Sequence, residues 1–137
     1  MIKTVHVFAG RFTNRDAACR YTEAQWEPEP DESASDEEYV AWENRNPIWP
    51  MKIDLGIVFL DSDFIETIFG DGRYDYLNGT LLDEQAINRI KATAGSDSNV
   101  LVLIFDEALG GFESEVKSTP SLTYCGQFDC ELGREQP

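Results

Sequence analysis

Six consecutive apolar residues, Val100-Leu101-Val102-Leu103-Ile104-Phe105, stand in a chain that otherwise carries a net charge of −15 over 137 residues. The run is too short for a buried helix, and its β-branched content favours a strand with both faces inside the molecule. A fully buried strand needs neighbours on each side and cover above and below, so the rest of the chain must supply a sheet and helices to pack on it. Ile2 to Phe8, with Val5, Val7 and Phe8, reads as a second central strand that Gly10 ends.

Helices are marked by their caps. Thr13 is placed to cap a helix over residues 14–24, with Asp16 three positions on and Ala17, Ala18, Tyr21 and Ala24 forming one apolar stripe. Ser35 and Glu38 form a second capping pair, opening a short helix that Asn46-Pro47 and Trp49-Pro50 close. Leu55 to Leu60 reads as another strand. Asp61 or Ser62 then caps a helix through Asp63 to Phe69, whose Phe64, Ile65, Ile68 and Phe69 repeat as a buried face and which Gly70 stops. Asp71-Gly72 and Asn78-Gly79 are turns, and residues 82–94 form a helix with Ala86, Ile87, Ile90 and Ala94 inward and Gly95 as its stop. Gly110-Gly111 turns the chain, and Leu122 to Phe128 is the last strand, expected to pair with Val100–Phe105 as an antiparallel arm.

The expected fold is therefore α+β, a single domain with a mixed or antiparallel sheet of about four strands packed against helices. Residues 1–130 make up that domain, with an acidic insert at 23–50, and residues 131–137 form a flexible tail. A chain of this length buries roughly two thirds of the surface its unfolded form exposes, enough for a real core.

The charge bounds the partners. A pI near 4.2 argues against nucleic acid and against anionic membranes, because phosphates repel such a surface. Three cysteines, Cys19, Cys125 and Cys130, are too few and odd in number for a disulfide framework, so free thiols in a reducing cytoplasm are expected. The opening residues are too polar for a signal-peptide core, and no apolar run approaches a membrane span.

Catalytic parts are sparse. His6 is the only histidine, and inside a strand it reads as a satisfied structural residue. Zinc spacing, Walker loops, G-x-S-x-G and G-x-G-x-x-G are missing from the sequence, so no cofactor or metal is expected. Asp61, Ser62, Asp63, Asp71 and Asp75 could approach a hard cation, but cap chemistry accounts for the first three. Glu107, Glu113 and Glu115 could supply an acid and a base only if folding joined two of them.

The distinctive stretch is Glu23 to Trp49. It holds nine carboxylates, a single basic residue (Arg45) and all three tryptophans. Disordered solvating segments are poor in aromatics, so carboxylates mixed with large rings point to docking on a basic protein surface. The charges steer the encounter and the rings anchor it. Trp26, Asp31, Glu32, Asp36, Glu37, Glu38, Tyr39, Trp42 and Trp49 are the candidate partner-binding residues. Two alternatives stay open: Tyr39, Trp42 and Trp49 could pack the insert onto the domain, and the first-turn charges at Asp36, Glu37 and Glu38 have a helix-dipole account.

Four segments together resemble the immunity protein 22 family of bacterial polymorphic-toxin immunity proteins. Val5-His6-Val7-Phe8-Ala9-Gly10-Arg11-Phe12 is similar to its opening strand-Gly-x-Phe, and Leu60-Asp61-Ser62-Asp63-Phe64-Ile65-Glu66-Thr67-Ile68-Phe69 to its central Asp-x-Asp-Phe-hydrophobic-Glu helix start. The strand ending Ile104-Phe105-Asp106 and the closing Leu122-Thr123-Tyr124-Cys125-Gly126-Gln127-Phe128 fit in order. The resemblance implies a cytoplasmic protein that binds and neutralises a cognate toxin, with no catalytic residues to carry over. Rival readings are a small acidic enzyme using carboxylate chemistry and a nucleic-acid mimic that inhibits a DNA-binding protein.

Overall fold

In the computed structural model, which describes residues 2–78, 82–111 and 115–131, four strands form one antiparallel sheet. The strands are β1 (Ile2–Gly10), β2 (Ile65–Phe69), β3 (Val100–Phe105) and β4 (Leu122–Glu131), in the spatial order β2-β3-β1-β4. Helices α1 (Arg15–Thr22), α2 (Asp36–Arg45), α3 (Pro50–Leu55), α4 (Arg73–Leu77) and α5 (Glu84–Ala94) complete an α+β fold. The two strands read as central are central. β3 and β4 do not form an arm, because β1 lies between them and pairs with both.

Both faces of the sheet are covered, which is why β3 reads as a continuous apolar run and β1 carries apolar residues on both faces. Alternate residues divide between two cores. Val5, Val7, Ala9, Leu101, Leu103 and Phe105 pack with Leu77, Leu82, Ile87 and Ile90 beneath α4 and α5. Phe8, Val100, Val102 and Ile104 meet Ala18, Trp49, Met51, Leu55, Ile57 and Leu60 on the side of α1 and α3. All six residues of β3 are buried. In β4 the register shifts at Val7/Phe8, so that Cys125 is the extra residue of a bulge and Gly126 takes φ +125°.

Two segments differ from the sequence reading. Residues 55–60 are not a strand: Pro50 opens α3, Leu55 is its last residue, and Gly56 stops it at φ 69°. Ile57 and Leu60 then plug the core while Val58 stays outside. Residues 65–69 are not a helix. Asp61 caps only a single 3-10 turn, Ser62–Phe64, and β2 follows as an edge strand beside β3. Its β-branched Ile65, Thr67 and Ile68 suit a strand, and five residues are too few for their spacing to separate the two periods. α4, just after the Asp71-Gly72 turn, is only five residues long and has no side-chain cap to mark it in the sequence. The first helix begins one residue later than Thr13 would set it, since Asn14 is the cap and accepts from Ala17 N. Gly79, Glu113 and the tail beyond Glu131 lie outside the described residues.

Candidate functional site

The acidic insert is a closed loop. Gln25 and Ile48 exchange both backbone hydrogen bonds, at 2.8 and 2.7 Å, and form its neck. One step further in, the Glu27 N–H donates to Asn46 Oδ1 at 2.9 Å, and Asn46 Nδ2 donates back to the Glu27 carboxylate at 3.0 Å. Arg45, the segment's single cation, also donates to that carboxylate. Pro28-Glu29-Pro30 keeps the outgoing chain extended. Ser35 Oγ accepts from Glu38 N at 3.2 Å and starts α2, which brings the chain back to the neck.

The inward face of α2 clips onto the outgoing chain. Tyr39 donates its hydroxyl to the Pro30 carbonyl at 2.9 Å, and Trp42 Nε1 donates to the Glu27 carbonyl at 3.1 Å. The Trp26 and Trp42 rings meet at 5.7 Å between centroids, tilted by 44°. Donation from Asn46, then Arg45, holds the Glu27 carboxyl below the usual carboxylate range. These bonds tie the two limbs of the loop together although α2 buries none of its residues.

The candidate residues fall into three groups. Asp31, Glu32, Asp36, Glu37 and Glu38 are exposed, and Trp26 is 60% exposed. Tyr39 and Trp42 are half-buried and serve the loop's own bonding. Trp49 is corrected: it is 6% exposed, lies in the α1/α3 core and donates its Nε1 proton to the Thr22 carbonyl at 2.8 Å. An indole shielded in this way is a core side chain and not a surface anchor. Sequence reasoning missed Glu27 and Asn46, whose bonding depends on folding, and the exposed pair Val40 and Ala41 on the outer face of α2. An apolar pair between Asp36, Glu37 and Asn44 was the available signal.

Several other candidate side chains are buried or held in local contacts. His6 is buried and shares a 2.8 Å hydrogen bond with the Tyr124 hydroxyl. Burial lowers its pKa against the opposing pull of Asp106, so the 3.8 Å approach of Asp106 is a weak polar contact at neutral pH. Glu107 is bonded to Lys3, which lowers its pKa. Asp61 Oδ1 accepts from Asp63 N as a cap. Cys125 and Cys130 are buried thiols, and burial pushes Cys125 up to about 11. Among the described residues no group of three or more His, Cys, Asp or Glu is arranged to hold a metal ion, and no helix is long and apolar enough to cross a membrane.

Comparison with protein-family models, with curated proteins and with solved structures gives no match.

Proposed function

We propose that the chain is a cytoplasmic immunity protein that binds a cationic, nuclease-like bacterial toxin through the 25–48 loop and neutralises it without chemistry of its own. The observation that carries this reading is α2: a ten-residue helix with no buried residue, carrying three first-turn carboxylates and held by bonds internal to its loop. Such a helix adds little to the core. A pre-organised loop also lowers the ordering cost of association. Opposite charge can raise association rates by roughly 10–10³-fold at low salt. The resemblance of the strand segments to immunity protein 22 sequences supports the same reading; the Asp-x-Asp-Phe segment does not, because the helix start it is likened to is here a 3-10 turn followed by β2.

Growth rescue on co-expression with a toxin-like reading frame adjacent to the gene is the direct test. With a toxin in hand, neutralising Asp31, Glu32, Asp36 and Glu37 together slows association in stopped-flow mixing. Trp26→Ala speeds dissociation, by about 2 kcal/mol for a true anchor. Unchanged rates in the charge variant reject steering.

A further inference from the structure

The tryptophans are not the only apolar groups the loop offers. Asp36, Val40 and Asn44 follow one another at i, i+4 and i+8, with Glu37 and Ala41 as the adjacent row, so the five share one side of α2. All five belong to α2, so the shallow groove of about 370 Å³ that they line has this helix as its one wall and is otherwise open to solvent, and every one of them is exposed. Val40, 54% exposed, has only Ala41 as an apolar companion along this groove. Tyr39 and Trp42 lie on the opposite side, turned toward Pro30 and Glu27.

We infer that this outer face of α2 is the docking groove for a cationic amphipathic helix of the partner, with Val40 and Ala41 taking its aliphatic anchor. The inference rests on the reading of the loop as a binding surface and names the part of it that excludes water. Charge complementarity selects the occupant. The groove's charged lining groups, Asp36 and Glu37, are both anionic, and Arg45 is engaged by Glu27. Lysine or arginine beside an aliphatic anchor meets those carboxylates, whereas an acidic segment is repelled. A helix fits this open face. The floor spans about two turns, roughly 12 Å, and its rows at four-residue spacing are the ridges between which a second helix sets its side chains.

The test uses the full chain and two fluorescein-labelled peptides: an amphipathic helix with leucines on one face and lysines elsewhere, and a peptide of equal charge with serine in place of leucine. The leucine peptide binds more tightly than the serine peptide, and binding weakens with salt. Val40→Ser lowers its affinity by about tenfold and leaves the serine peptide unchanged. Val58→Ser, at an aliphatic that is 90% exposed outside the loop, has no effect. Amide shifts on binding centre on residues 36–44. Both substitutions are at exposed positions, and an unchanged urea midpoint confirms that each variant folds. If the leucine peptide binds in a salt-dependent way but Val40→Ser matches the wild type, or Val58→Ser loses as much, the groove is rejected while the acidic reading stands. If neither peptide binds at low salt, both fail.

Discussion

The indole N–H of Trp42 reaches back fifteen residues to the Glu27 carbonyl, at 3.1 Å, and ties the returning helix to the outgoing chain. Trp42→Phe keeps the ring and removes the donor. Amide exchange over residues 27–45 should quicken in that variant while the slowest amides of β1 and β3 stay unchanged, because α2 contributes no buried residue to either core. Equal acceleration in loop and sheet would mean that the loop is part of the global folding unit.

Acid should loosen the loop before it unfolds the sheet. The Glu27 carboxyl is held below its ordinary value by Asn46 and Arg45. The stabilisation it provides is complete above the unfolded-state pKa and is lost as pH falls through the folded one. Protection of the 27–45 amides, taken relative to their intrinsic exchange rates at each pH, should therefore fall below the ordinary carboxylate range, and Glu27→Gln should show the lowered protection already at pH 7. A loop equally protected in wild type and Glu27→Gln at neutral pH would dismiss the carboxylate as its clasp.

Two tryptophans of one segment should separate cleanly in stability. Trp49→Ala empties a core position and is expected to cost about 3–5 kcal/mol in urea unfolding. Trp49→Phe should cost less, about 1–3 kcal/mol, chiefly for the orphaned Thr22 carbonyl. Trp26→Ala, at an exposed site, should stay within about 0.5 kcal/mol of wild type. Comparable losses for Trp26→Ala and Trp49→Ala would contradict the assignment of one ring to the surface and the other to the core.

His6 should give the protein a mild acid sensitivity of its own. Burial lowers its pKa from 6.5, so below that value the unfolded chain binds the proton first and stability falls as pH falls. Above 6.5 this contribution is fully present; it declines until the lowered folded value is passed. The slope of unfolding free energy between pH 6.5 and the onset of carboxylate titration should flatten in His6→Gln, whatever that change costs at pH 7. A slope of the opposite sign would mean that Asp106, at 3.8 Å, outweighs burial.

Features encoded within a few neighbouring residues were legible in the sequence itself. The apolar content of β1 and the apolar run of β3, the Ser35 cap of α2, the helix read over 82–94 and found at Glu84–Ala94 with its Gly95 stop, and the segregation of carboxylates and indoles into one stretch all follow from local propensity, capping geometry and composition. What the tertiary structure decided depends on partners distant in the chain. Ile65–Phe69 is a strand because β3 offers an edge some 35 residues away. β1 separates β3 from β4 because pairing is settled by which edges meet, and no local signal encodes that. Trp26 and Trp49 stand in the same acidic stretch, yet one faces solvent and the other donates to Thr22. Burial is an energy shared with groups that only folding brings near, so composition could locate the candidate surface but not assign its rings.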